Sequence, residues 1–363
     1  MKLLHLVSGA DAGGAMTHVL SLLPELQKTD TVCLACLGGG PLALGAAERG
    51  IKTLVLPGGA ISQLSGLNRR LIEQRPDVLH CHGARANVLG ALARRGPGTR
   101  VVSTVHSDHR LDYLSRPMAA QTLGRLNGWA LGRMDALFCV SDAMAERYRR
   151  RGFRCVYALY NGLDFSAPPL APISRGDTVS VGIAARLDPV KDLETALRGF
   201  AMASKREPRL RLRIAGTGRE ENRLRALAGR LGVSGTVEFC GWVEDMDRFF
   251  AALDIAALTS LSETFPYALL LAARQAIPAV ATDVGGVSAL VKHGEGGLLI
   301  TPGDASAFAQ ALLRLAGNES ERLAMGRALR LRAQTHFPLE RTAETVWELY
   351  RRVWKDNQTK ERG

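Results

Sequence analysis

Arg186 and Lys191 lie in Ala185-Arg-Leu-Asp-Pro-Val-Lys-Asp192, directly after an apolar run that reads as a strand. A planar guanidinium fork beside a compact ammonium suits a diphosphate, and would stabilise negative charge growing on a departing phosphate. Two solvated charges flanking a turn are the plain alternative. Gly13-Gly14 follows the first apolar run and opens an amphipathic segment. Adjacent glycines let backbone approach a ligand, and a helix start offers N–H groups and partial positive charge to a phosphate; ordinary loop geometry is the other reading. Glu263 stands in Ser262-Glu-Thr-Phe-Pro-Tyr-Ala268. Its carboxylate can accept two hydrogen bonds from a diol, and the N–H groups of Phe265 to Ala268 can face a ligand before a helix begins. Pro266 is comfortable at that helix start. His106, in Ser103-Thr-Val-His-Ser-Asp108, lies just beyond a strand, where a histidine either meets a ligand or is merely hydrogen-bonded.

Other constellations read as structural. His80-Cys-His82 puts two imidazoles on one strand face, but no third metal ligand is indicated, so no metal is expected there. Asp245-Met-Asp247 imitates a metal-binding pair yet sits where a helix begins, a capping position. Cys33-Leu-Ala-Cys36 has redox spacing, but in a strand the two thiols point to opposite faces, and a redox pair belongs at a helix start. Arg110 to Arg133 interleaves apolar residues with arginines, as a helix lying on an anionic bilayer would, or a helix packed on its own domain. Arg147, Arg149, Arg150 and Arg151 form a second basic cluster that could join it or be a solvated face.

The elements that must position these groups alternate short apolar runs with longer amphipathic segments, the pattern of parallel sheets covered by helices on both faces. First-half strands are expected at Leu3–Val7, Thr31–Leu37, Thr53–Leu56, Val78–Cys81, Val101–Val105, Leu137–Val140 and Val156–Leu159. A second series runs through Val179–Ala184, Leu210–Ala215, Val237–Cys240, Ile255–Leu258, Ala279–Ala281 and Leu298–Ile300. The Pro-rich, aperiodic stretch Asp164 to Asp177 reads as the linker between them. Doubly wound sheets bind ligands at the carboxyl ends of their strands. The expected architecture is therefore α/β, with two doubly wound Rossmann-like domains, 1–165 and 166–338, facing a central cleft. A closing segment, 339–363, carries apolar residues at helical spacing (Leu339, Val346, Leu349, Tyr350, Val353).

A length of 363 residues suits two domains, and 46% hydrophobic with 23% charged residues describes a globular chain. The apolar run after Lys2 stops at Ser8, too early for a signal peptide, and no stretch is long and apolar enough to span a membrane. A cytoplasmic protein is expected, without a disulfide framework for its six cysteines. The net charge is +12; residues 1–165 hold 20 Lys and Arg against 12 Asp and Glu, the remainder 27 against 23. The excess in the first half favours anionic partners such as a membrane surface or a phosphorylated lipid, and no nucleic-acid module accompanies it.

The stretch Leu261-Ser-Glu-Thr-Phe-Pro-Tyr-Ala-Leu-Leu-Leu-Ala-Ala-Arg-Gln-Ala-Ile-Pro-Ala-Val-Ala-Thr-Asp-Val-Gly-Gly286 resembles the nucleotide-sugar signature of retaining GT-B glycosyltransferases, family 4. Ala185-Arg-Leu-x-x-x-Lys191 resembles that family's phosphate loop with Ala185 in place of Gly, and Gly13-Gly14-Ala15 its glycine element after the first strand. The resemblance implies a retaining transferase moving a sugar from a nucleotide-diphosphate sugar, UDP ahead of GDP, to a lipid-linked or phosphorylated acceptor in envelope polysaccharide or glycolipid synthesis. It implies catalytic roles for His106, Arg186, Lys191 and Glu263. Donor contacts would come from Gly13, Gly14, Thr264, Phe265, Pro266, Tyr267, Ala268 and position 271, and base contacts from backbone near Gly241 to Val243. It implies no bound metal, a final helix crossing back to the first domain, and an enzyme that can sit peripherally on the inner face of the membrane. Two positions depart from the pattern. Leu271 stands where the family holds a second Glu on the ribose, and Ala289 where an acidic residue follows Val-Gly-Gly. They leave two alternatives: a catalytically degenerate, membrane-associated binding module, or a sugar-nucleotide epimerase sharing the fold.

Overall fold

The computed structural model describes residues 1–10, 13–93, 98–108, 120–171 and 177–358. It divides into two compact units, one holding Met1–Gly162 with Leu339–Gly363, the other Leu163–Pro338.

The first unit is built on a seven-stranded sheet ordered β3-β2-β1-β4-β5-β6-β7. Its strands are β1 (Lys2–Val7), β2 (Thr31–Leu37), β3 (Lys52–Leu56), β4 (Val78–His82), β5 (Arg100–Val105), β6 (Ala136–Cys139) and β7 (Val156–Ala158). Every strand pair is parallel, and a parallel sheet covered on both faces needs near-continuous apolar strands. Alternate residues divide between two cores. Leu3, Val7, Val78 and Val102 face one core, under the helices Gly14–Gln27 and Leu339–Gln358; Leu4, Leu6, Leu79, Cys81 and Val101 face the other. Cys36 and Cys33 fall on these two opposite sides, as strand geometry requires. Val346, Leu349, Tyr350 and Val353 of the final helix complete the first core.

In the second unit the sheet is six-stranded, ordered β10-β9-β8-β11-β12-β13. The strands are β8 (Val179–Ala184), β9 (Leu210–Ala215), β10 (Val237–Gly241), β11 (Ile255–Leu258), β12 (Ala279–Thr282) and β13 (Gly297–Ile300), again all parallel. Helices start on side-chain caps where the chain turns off a strand or another helix: Asp192 accepts from the N–H of Thr195, Asp304 from Ala307 and Asn318 from Glu321. Asp245 does the same for Arg248, while Asp247 is taken by Arg274 and Gln275, so this pair caps and braces a helix.

The stretch read as a linker is fixed to the second unit over its first residues. Phe165 is buried, Arg330 donates to the carbonyls of Phe165 and Ala167, and Leu170 N–H donates to Gln275. Residues 172–176 lie outside the described residues. So do 109–119, which take in the first part of the basic Arg110 to Arg133 segment. No helix among the described residues is long and apolar enough to cross a membrane.

Candidate functional site

In both sheets the strand order reverses beside the first strand of its unit, so the loops after the first, fourth and fifth strands gather at the carboxyl edge where doubly wound folds bind ligands.

In the second unit two loops that are distant in sequence become one structure. After β8 the chain makes a single helical turn, Pro189–Lys191, then enters the helix Leu193–Ser204 through Asp192. The loop after β11 is strapped to that turn: Leu261 N–H donates to the Val190 carbonyl at 2.8 Å, and Thr259 Oγ1 to the Lys191 carbonyl at 3.1 Å. These bonds bring Lys191 Nζ to 2.6 Å from Glu263 Oε1, which also accepts from Ser260 Oγ at 2.6 Å. The pair is largely withdrawn from water, with the Lys191 side chain 19% and that of Glu263 9% exposed. Arg186 is not drawn in. Its side chain is 71% exposed and pairs with Asp188 at 2.7 Å, so the two cations of this loop face different surroundings.

The backbone of the Glu263 loop is clamped from the other side by the loop after β12. Gly286 N–H donates to the Thr264 carbonyl at 2.8 Å, and a Cβ on Gly285, whose φ is +57°, would collide with the Glu263 carbonyl. Gly-Gly at 285–286 is thus the spacing that lets this loop close. Phe265 points inward onto the ring of Phe337, 4.8 Å between centroids, and Pro266 precedes the helix Tyr267–Arg274. The Phe265 side chain is thus taken up by packing. Position 271, on that helix, packs with Ala268, Val243, Met246 and Cys240 against the buried Phe249 and Phe250, an apolar wall beside Gly241. The Ala289 carbonyl accepts from Arg332 at 2.7 and 2.9 Å. Gly216 and Gly218, not singled out in the sequence, allow the loop after β9 to lie on the carbonyls of Ala185 and Leu187, supporting the Arg186 turn from beneath.

In the first unit, Gly13 takes a φ of +77° and leads into the helix Gly14–Gln27, both glycines exposed. That helix carries His18 inward over one face of the sheet. There the alternation of β1, β4 and β5 lines up His5, His80, His82 and Thr104, with His106 one position beyond β5. This corrects the expectation that His80 and His82 lack a third partner. His5, His80 and His82 hold ligand atoms within 4.8 Å of one another, as do His18, His82 and His106. Contacts run from ring to ring: His82 Nδ1 to His106 Nε2 at 3.3 Å, His82 Nε2 to His5 Nδ1 at 3.0 Å, His5 Nε2 to Tyr350 Oη at 3.4 Å, Tyr350 Oη to His80 Nδ1 at 2.5 Å, and His80 Nε2 to Thr104 Oγ1 at 2.7 Å.

Burial keeps the network neutral. Desolvation pushes the His5 pKa down to about 3, with a contribution from His18, and that of His18 to about 4, with the nearby Asn161 side chain acting in the opposite direction. Burial first, then neighbouring imidazoles, holds His80, His82 and His106 well below the usual imidazole range. The basic cluster of 147–151 is spent on the fold: Arg147 and Arg151 clamp the buried Asp108, Arg149 donates to the Val156 carbonyl, and Arg150 pairs with Glu146.

Known proteins resemble this chain in sequence and in fold. The family described as "Glycosyltransferase Family 4" matches residues 12–167, and "Glycosyl transferases group 1" matches residues 178–318. A D-inositol 3-phosphate glycosyltransferase of Streptomyces griseus is 31% identical over 386 residues, covering 94% of this chain and 80% of that protein. An exopolysaccharide phosphotransferase of Streptomyces coelicolor is 40% identical over 137 residues, 37% of this chain; the match spans 14% of that much longer protein. Among solved structures, the Anabaena protein HepE in complex with UDP-glucose superposes with a TM-score of 0.83 at 22% identity, covering 96% of this chain and 98% of that one. With two Rossmann-like α/β units, two family matches and a relative of this identity and coverage, the chain belongs to the group 1 glycosyltransferases of the GT-B fold.

Proposed function

We propose that this chain is a retaining transferase that moves a sugar from UDP to a phosphorylated or lipid-linked acceptor in polysaccharide or glycolipid assembly. The observation that carries the reading is the Lys191–Glu263–Ser260 cluster, which holds a cation and a sugar-binding carboxylate together at the carboxyl edge of one sheet. Lys191 donates to the donor diphosphate, and the exposed Arg186 swings onto it from Asp188. Glu263 accepts from hydroxyls of the transferred sugar while the backbone N–H groups of Thr264, Phe265, Tyr267 and Ala268, about Pro266 at the start of the helix Tyr267–Arg274, meet the sugar and β-phosphate. Gly13 and Gly14 supply a second close backbone approach, and the neutral His106 contacts the donor sugar or its phosphate. Backbone of Gly241 to Val243 meets the base, and Leu271 lies against the ribose.

In the reaction the bond from the anomeric carbon to the diphosphate oxygen breaks, and the acceptor oxygen bonds that carbon on the same face. The acceptor proton passes to the departing diphosphate. Stabilisation of that leaving group by Arg186, Lys191 and helix-start N–H groups is the main catalytic contribution, together with positioning. The UDP choice is supported by the UDP-glucose bound to HepE; a phosphorylated or polysaccharide acceptor is supported by the names of the two Streptomyces relatives and by the positive excess of the first half. Exposed Leu123, Leu126 and Trp129, flanked by Arg125 and Arg133, offer an apolar and basic strip to a membrane-borne acceptor.

Calorimetric titration with UDP, GDP and ADP, followed by donor turnover with radiolabelled UDP-sugars, tests the reading. UDP is expected to bind selectively, and the double variant Arg186→Ala, Lys191→Ala to lose nearly all turnover. Full activity in that variant sinks the assignment, and tighter binding of GDP or ADP overturns the donor class. Conversion of the nucleotide sugar without any acceptor would point to epimerase chemistry instead.

A further inference from the structure

The transferase reading uses one histidine of the first unit, His106, and leaves four buried imidazoles around it without a task. We propose that His18, His82 and His106 form a binding site for a divalent cation of the zinc class, ligated through His18 Nε2, His82 Nδ1 and His106 Nε2. The proposal shares His106 with the transferase reading but does not depend on it, and concerns binding alone.

Three observations converge on it. His18 is 1% exposed and its Nε2 has no hydrogen-bond partner, a cost that buried polar atoms rarely carry. The ligand atoms of His18, His82 and His106 lie within 4.8 Å of one another, and His82 Nδ1 is 3.3 Å from His106 Nε2. Two imidazole nitrogens bound tetrahedrally to zinc at about 2.0 to 2.1 Å stand about 3.3 Å apart, so that edge is already at the required length. The third observation is the hydrogen-bond chain behind His82. Its shortest contact, Tyr350 Oη to His80 Nδ1 at 2.5 Å, fits the phenol donating to the imidazole. His80 then carries its proton on Nε2 and donates to Thr104 Oγ1, while His5 Nε2–H donates to Tyr350 Oη. His5 Nδ1 is left as an acceptor, so His82 donates to it from Nε2 and presents a bare Nδ1 toward His106. Tautomers assigned in this way give His82 the orientation that outer hydrogen-bond partners impose on metal-binding histidines.

The neighbouring triad of His5, His80 and His82 fits less well, because both ring nitrogens of His5 and of His80 are already engaged. His106 is only half-buried, which leaves the outer triad a fourth position open. An all-nitrogen donor set selects zinc, copper or nickel over magnesium or calcium.

The test uses the untagged full chain, stripped with chelator, dialysed and titrated with Zn²⁺ alone and Co²⁺ alone. Expected are one equivalent bound per chain, the visible bands of tetrahedral cobalt, and a zinc-edge absorption spectrum with three imidazole scatterers. His18→Gln is expected to weaken Zn²⁺ binding by more than the roughly 10- to 100-fold that loss of an outer hydrogen-bond partner costs. His293→Gln, in the second unit, leaves affinity unchanged. Absence of stoichiometric binding, undiminished binding in a folded His18→Gln, or an oxygen-only ligand spectrum overturns the proposal. The absorption spectrum of the unsubstituted protein decides the matter even where His18→Gln fails to fold.

Discussion

The two units place their polar groups at corresponding points of similarly ordered sheets and give them opposite character. After its first strand the first unit has Gly13-Gly14, the second Arg186 and Lys191; at the fourth strand the first unit has His82, the second the loop of Ser260 and Glu263; after the fifth, the first has His106, the second Gly285-Gly286. In the first unit the side chains are neutral imidazoles handing hydrogen bonds to one another beneath two helices, with Tyr350 of the final helix as the link. In the second they are an ammonium and a carboxylate at 2.6 Å, in a loop clamped by backbone. One topology thus supports a buried imidazole network and an ammonium–carboxylate site, and the difference lies in a handful of side chains at the strand ends.

The largest expected effect breaks the comparison by acid. Histidines buried with lowered pKa bind protons more readily in the unfolded chain, so stability rises with pH between the folded and unfolded values and is lost as pH falls below about 6.5. For His18, whose folded pKa is about 4, the loss reaches on the order of 3 kcal/mol by that pH, and His5 adds to it lower still. Hydrogen exchange measured at pH 8, 6 and 5 is expected to show the strands of the first unit losing protection while those of the second hold. Parallel loss in both units, or no loss, would show that the imidazole network is not what separates them.

Next in size is Lys191→Ala. Removing one donor aimed at developing negative charge costs about 10²- to 10³-fold in turnover, and here it also leaves a mostly buried Glu263 with Ser260. Steady-state kinetics are expected to show that loss in kcat, with partial recovery in Lys191→Arg. A change confined to KM would mean that Lys191 holds the ground state and the departing charge equally.

How much of this was readable beforehand follows the range of the interactions. Every strand was visible as a short apolar run, because covered parallel sheets require it, and Asp245 as a cap was visible from its place before a helix. The contact of Lys191 with Glu263 was not, since the loops are joined by backbone bonds from Leu261 and Thr259 that no local pattern encodes. His80 and His82 revealed their shared face, but their partners depended on β1 and β5 flanking β4 and on a tyrosine from the far end of the chain. With the strand order in hand, the even spacing of His80, His82, Thr104 and His106 is signal enough. The pairing of Arg147 and Arg151 was equally hidden, because the buried Asp108 that occupies both lies on another loop.

Leu271→Glu sharpens the second half of the comparison, and its effect is the smallest. The residue packs beside Val243 and Ala268 on an apolar wall, where the family pattern has a carboxylate on the ribose. A restored charge-assisted hydrogen bond is worth about 1.5 to 3 kcal/mol, or roughly 10- to 150-fold in affinity for a single bond. Titration of the variant with UDP is expected to show tightening within that range, with turnover of the unsubstituted chain already measurable because Lys191 and Glu263 remain. If the unsubstituted chain binds no nucleotide and Leu271→Glu does, the apolar wall has disabled the donor site, and the second unit is a preserved scaffold. If neither the affinity nor the base preference moves, the ribose lies elsewhere, and the wall of Leu271, Val243 and Met246 faces something other than the donor.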